Sequence, residues 1–179
     1  MAQTGLDRTI EILGGRGVFP HARRAAAPRK GAATLPRRSA PAGTAAGRDA
    51  SPFEAADERT VWTRLVRACI SSAALRNVAD QLHLSINELS QSLRLPARTI
   101  HRRLANAEQL SPEETERSFR AARALARAQQ LLGLENGRRW LLAACPALGG
   151  ERPVNLLDTA DGFNAVLDEL GRLEYGVLS

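Results

Sequence analysis

From residue 61 onward the apolar positions recur in pairs, Val61/Trp62, Leu65/Val66 and Cys69/Ile70, and then Ala73. Spacing of this kind puts them on one face of a helix, and it predicts a single helix running through the stretch. Ser85 followed by Glu88 has the form of a capping box, so a short helix starts there and is closed by Pro96, just past Arg94. A second short helix is predicted over about 97–107, with Ile100 and Leu104 inward. Ser111-Pro112-Glu113-Glu114 is another start signal: a serine cap, proline at the first helical position and a glutamate three residues after the cap. The helix it opens is predicted to run to Leu132, with Gly133 as its stop. Phe119, Ala122, Leu125, Ala126 and Leu132 then face inward, and Arg117, Arg120, Arg123 and Arg127 mostly outward. A helix near Glu135–Ala144, a loop from Cys145 to Pro153 and a last helix from about Asp158–Thr159 complete the pattern. Phe163, Val166, Leu167 and Leu170 of the last helix point to the core, and Gly176 ends it. No stretch alternates as a strand does, so the predicted fold is all-α.

The first fifty residues break this pattern. They are rich in Ala, Arg, Gly and Pro, as in His21-Ala22-Arg23-Arg24-Ala25-Ala26-Ala27-Pro28. Such a segment buries too little apolar surface to offset the entropy of ordering its backbone. Residues 1–50 are therefore read as a disordered basic arm with at most a short helical turn near Leu6–Leu13. Residues 51–133 are read as a helical region carrying a helix-turn-helix at about 85–107, and 134–179 as a C-terminal domain.

Composition agrees with helices: 44% of the chain is hydrophobic but only 4% aromatic. Net charge changes the picture only once it is located. The formal charge is +6, and residues 1–50, with nine Lys+Arg against three Asp+Glu, hold all of it. Within the balanced remainder, Arg94–Arg127 carries eight Arg against four Glu, and 128–179 four Arg against seven acids. A basic middle and an acidic end point to two surfaces with different partners.

Catalytic and metal chemistry find no support. Cys69 and Cys145 stand outside any CxxC or Cys/His array, and His21, His83 and His101 have no carboxylate or thiol at a recognisable spacing. Gly14-Gly15-Arg16-Gly17 lacks the strand before it and the Lys-Ser/Thr after it that a phosphate loop needs. The chain is thus expected to be no enzyme and to need no cofactor. Without a signal-peptide core or a long apolar run, it is expected to be cytoplasmic with reduced thiols and no membrane contact.

The two short helices around Pro96 have a more specific geometry. Leu89, Leu93, Leu95 and Ile100 fall at the inner positions of a DNA-reading helix-turn-helix, and Ser90 supplies the small residue where its helices cross. Arg98, Thr99, His101 and Arg102 then project outward as candidate DNA contacts, since arginine pairs bidentately with guanine and threonine holds phosphate. Two positions depart from the pattern: Arg94, where such turns often carry glycine, and Arg103, where an apolar residue is usual. The alternative for this segment is an αα-corner with a solvated charged face.

From Arg98 onward the chain resembles the Xre/MbcA/ParS toxin-binding antitoxins, and among them the Xre antitoxins paired with RES-domain toxins. The matching residues include Thr99-Ile100-His101-Arg102-Arg103-Leu104, Leu110-Ser111-Pro112-Glu113-Glu114, Trp140-Leu141 and Ala147-Leu148-Gly149-Gly150-Glu151-Arg152-Pro153. The most specific run is Leu156-Leu157-Asp158-Thr159-Ala160-Asp161-Gly162, continuing through Leu170-Gly171-Arg172-Leu173-Glu174-Tyr175-Gly176. The resemblance implies a partner toxin with an ADP-ribosyltransferase-like fold that depletes NAD, bound so that its NAD cleft is obstructed. It also implies a helix-turn-helix that supports a homodimer and represses the shared operon through operator DNA. On this footing the toxin-binding candidates are Leu148, Gly149, Gly150, Arg152, Pro153, Gly162, Tyr175 and Gly176. The competing expectations are a stand-alone helix-turn-helix regulator with a sensing or dimerising C-terminal domain, and an adaptor whose helix-turn-helix only dimerises.

Overall fold

A computed structural model of the chain describes residues 5–19 and 58–176. Eight α-helices and three short 3-10 turns make up the regular structure among these residues, with no strand. The expected arm over residues 20–50 lies outside the described residues.

The long helix α6 (Pro112–Leu132) is the hub. Its start is fixed as the sequence predicts: the Ser111 hydroxyl accepts from the Glu114 amide, and the Glu114 carboxylate accepts from the Ser111 amide at 2.7 Å. Ala121, Ala122, Ala124, Leu125, Ala126 and Ala128 are all buried, so α6 is covered on most sides. The many alanines let neighbours come close. After Leu132 the chain reverses at Gly133, which has a positive φ of 86°. Helix α7 (Leu134–Leu142) then lies back along α6 so tightly that a Cβ on Gly137 would sit 2.5 Å from the Ala128 carbonyl carbon. The last helix, α8 (Ala160–Glu174), starts on Thr159, whose hydroxyl accepts from the Gly162 amide at 3.0 Å. Phe163, Val166 and Leu170 are buried as expected, and Leu167 is half-buried.

Three expectations need correction. The N-terminal segment is no free arm over residues 5–19. It forms helix α1 (Gly5–Ile12) and a 3-10 turn (Arg16–Val18), which pack on α6 and on α3 (Ala73–Leu82). Ile10, Ile12, Leu13, Val18 and Phe19 are buried there. Asn77 of α3 donates to the Leu13 carbonyl at 2.8 Å, and Arg8 donates to Gln129 of α6 at 3.1 Å. The helical turn expected near Leu6–Leu13 is α1; averaging composition over fifty residues hides only its docking on the core.

The helix predicted through Val61–Ala73 is two helices, α2 (Glu58–Ala68) and α3. Between them Cys69 takes a positive φ of 55°. The next three residues find other backbone partners: Leu110 N–H donates to Ile70 O, Ser71 N–H to Val18 O and Ser72 N–H to Glu108 O. Those long-range bonds replace the intrahelical ones that a continuous helix would need.

The α6 arginines, expected mostly outward, are half-buried against neighbouring elements. Arg120 donates to the Leu157 carbonyl at 3.1 Å, Arg123 stacks over Trp62 and Phe163, and Arg127 pairs with Glu174 at the end of α8. Each aliphatic stem crosses the covered face of α6, and the guanidinium reaches out to a neighbouring element.

Candidate functional site

Helices α4 (Ile86–Ser92) and α5 (Ala97–Ala105) form the helix-turn-helix. The capping box that opens α4 is complete: Glu88 N–H donates to Ser85 Oγ, and Ser85 donates through both its amide and its hydroxyl to the Glu88 carboxylate. These two donors hold the Glu88 carboxyl below its ordinary pKa, because they favour its ionised form. Leu89, Ser90, Leu93, Leu95 and Ile100 are buried, the inner set that the spacing predicts.

The tight turn explains the unusual arginine. Leu95 N–H donates to Ser90 O, and Arg94 N–H donates to Gln91 O. That pair of bonds is a Schellman closure, which requires a left-handed residue at the position of Arg94. Its φ is 51°, the conformation that glycine fills without strain. Arg117 of α6 supports the turn from behind: its guanidinium donates to the carbonyls of Leu93 (3.0 Å) and Arg94 (2.8 Å). Arg103, the second departure, also has a structural task. It donates to Gln109 O at 2.7 Å and lies 3.1 Å from the carboxylate of the buried Glu114, so it ties α5 to the start of α6.

The four candidate DNA contacts lie on one accessible side of α5. Arg98, His101 and Arg102 are exposed and Thr99 is half-buried. They are not equivalent. Arg102 is paired with Glu108 at 2.8 Å, His101 meets Asn87 of α4, and Arg98 has no charged partner among the described residues. Asn87, Glu108 and Arg117 were not legible as members of this site. Each acts across fold contacts that spacing alone does not reveal.

In the C-terminal part, 3-10 turns at Pro146–Leu148 and Pro153–Leu156 flank an exposed loop. Its base is closed by Cys145 N–H to Glu151 O and Gly150 N–H to Cys145 O. Gly149 and Gly150 have φ of 71° and 80° with open space around them, so backbone conformation rather than crowding calls for glycine there. Together with Arg152 they are exposed, while Leu148 is half-buried against the core.

Two of the toxin-binding candidates change role. Pro153 is buried at the start of its 3-10 turn and offers no surface. Gly162 is required for packing, since a Cβ there would lie 2.1 Å from the Leu156 carbonyl oxygen. Tyr175 is 80% exposed just beyond α8, and Gly176 follows with a φ of 66°. Tyr175 follows Gly162 by thirteen positions, roughly 20 Å along the helix axis, so these candidates do not form one small patch.

A groove of about 550 Å³ separates the two regions and is lined by both, with Glu88, Gln91 and Arg94 on one wall and Arg152, Asn155 and Asp158 on the other. Among the described residues no helix is long and apolar enough to cross a membrane.

Comparison with known proteins gives the two regions separate matches. The Antitoxin Xre-like helix-turn-helix domain matches residues 61–123, and the Antitoxin Xre/MbcA/ParS C-terminal toxin-binding domain matches residues 127–176. Antitoxin Xre of Yersinia enterocolitica serotype O:8 / biotype 1B (strain NCTC 13174 / 8081) is 34% identical over 109 residues, covering 58% of this chain and 74% of that protein. A second relative, Prs ADP-ribosylating antitoxin of Sphingobium sp. (strain YBL2), is 25% identical over 126 residues, covering 64% of this chain and 79% of that protein.

Proposed function

This chain belongs to the Xre family of type II antitoxins, with a helix-turn-helix and a toxin-binding domain, and from that premise we propose how it acts on its partners. It neutralises a RES-type toxin that depletes NAD, by obstructing the cleft in which that toxin would take its substrate. NAD belongs to the partner; the antitoxin itself needs no cofactor and performs no catalysis. It works in the cytoplasm as a homodimer, and its helix-turn-helix represses the operon by binding operator DNA through Arg98, Thr99, His101 and Arg102.

The observation that carries this reading is Tyr175. A large aromatic side chain that is 80% exposed adds little to its own fold. It follows Glu174, which pairs with Arg127 of α6 and ties the end of α8 to that helix. An exposed aromatic within the matched toxin-binding domain is the type of residue that anchors an interface. Leu148, Gly149, Gly150, Arg152 and Gly176 complete the proposed surface, with Pro153 and Gly162 shaping it from beneath.

The test is co-expression with the product of the adjacent gene, followed by pull-down and a cellular NAD assay. The full chain is expected to form a stable complex and to restore NAD and growth. Deleting Tyr175–Ser179 is expected to release the toxin while circular dichroism shows an unchanged fold. Full protection by the truncated chain would overturn the role of the tail. A harmless neighbour that forms no complex would leave an ordinary helix-turn-helix repressor.

A further inference from the structure

We infer that Asn87 is a positioning residue that decides which base His101 reads, an inference resting on the DNA-binding reading of α5. The two side chains meet across the motif, Asn87 from the first turn of α4 and His101 from the middle of α5, with Asn87 Oδ1 2.7 Å from His101 Nε2. With the carboxamide oxygen facing the ring as acceptor, Nε2 carries the proton and donates it. In the neutral imidazole the other nitrogen, Nδ1, is then an acceptor.

That assignment has a consequence in the major groove. An acceptor is matched by the exocyclic amine of adenine (N6) or of cytosine (N4). It is mismatched by guanine, whose edge presents the acceptors N7 and O6. His101 is exposed one helical turn from Arg98, whose guanidinium has the opposite preference and seeks guanine. Asn87 need not touch DNA: by holding the proton on Nε2 it makes His101 select against guanine. The face of α5 therefore combines one guanine-seeking and one amine-seeking side chain, so the two base positions they meet carry different preferences.

Asn87→Asp reverses the setting. A carboxylate favours the doubly protonated ring, Nδ1 becomes a donor, and the preference turns toward guanine. The experiment is selection from a pool of random-sequence DNA duplexes by the full chain and by its Asn87→Asp, His101→Ala and Arg98→Ala variants. The wild-type chain is expected to enrich adenine or cytosine at one position, and His101→Ala to lose that preference alone. Asn87→Asp is expected to move the same position toward guanine by roughly tenfold, the scale of one good base contact. The 15N signals of His101 in the free protein are expected to show the Nε2–H tautomer, and the moved base preference of Asn87→Asp is the readout that a purely structural role for Asn87 would not produce. An Nδ1–H tautomer, or an Asn87→Asp site identical to wild type while Arg98→Ala loses enrichment, would overturn the inference and leave DNA binding standing. No enrichment by the wild-type chain would overturn both.

Discussion

Arg94 and Arg117 show how one strained residue is carried by another. A left-handed conformation costs a residue with a Cβ on the order of 1–2 kcal/mol, and Arg94 adopts it with a φ of 51°. The compensation comes from Arg117, which donates to the carbonyls on both sides of that strain. Hydrogen bonds from a charged donor contribute about 1.5–3 kcal/mol each. Arg117→Ala is therefore expected to destabilise the protein by about 2–3 kcal/mol, measured by urea unfolding, and to weaken DNA binding through a loosened turn. A stability within 0.5 kcal/mol of wild type, roughly the scatter of ordinary surface substitutions, would show that the turn holds itself. Reading the sequence flags Arg94 as out of pattern but offers no partner for it. Nothing in a linear spacing connects residue 94 with residue 117 before the placement of the α4–α5 turn beside α6 is known.

At the level of elements, the chain divides into parts that local pattern determines and parts that tertiary contacts determine. α4, α5, α6 and α8 begin and end about where cap residues and apolar spacing place them, because each boundary is set by neighbours along the chain. The break between α2 and α3 is set instead by pairing of residues 70–72 with Val18 and with the segment after α5. The apolar spacing continues through it, so periodicity alone sees no boundary. Tertiary contact also decides the docking of α1, a turn the sequence places near Leu6–Leu13 but one too short to stand without α6 and α3 beneath it. Its docking is testable. Leu13 is fully buried although it lies far from the matched family regions in sequence. Leu13→Ala is expected to cost about 2–5 kcal/mol, the range for a core leucine, read as a lower urea midpoint. An unchanged midpoint would show that the N-terminal helix does not dock in solution.

For the whole molecule, the two matched regions meet inside α6, at residues 123 and 127, rather than at a linker. One rigid element thus belongs to both, and the two regions also face each other across the groove lined by Glu88 and Arg152. The two matched regions were legible from motif and resemblance, but their mutual placement was not, since it depends on how α6 is shared. Two tryptophans sit on opposite sides of that junction, Trp62 in α2 and Trp140 in α7. Single-tryptophan variants, Trp62→Phe and Trp140→Phe, are expected to unfold in fluorescence at the same midpoint as in circular dichroism of the same variant. Separate midpoints would show two independent units. The shared helix also bears on turnover of the protein. A protease that trims the C-terminal end reaches α8 and Tyr175 while α6 is still whole. A cut within α6 is different in kind: it takes the shared support from both matched regions in one event, on one clock.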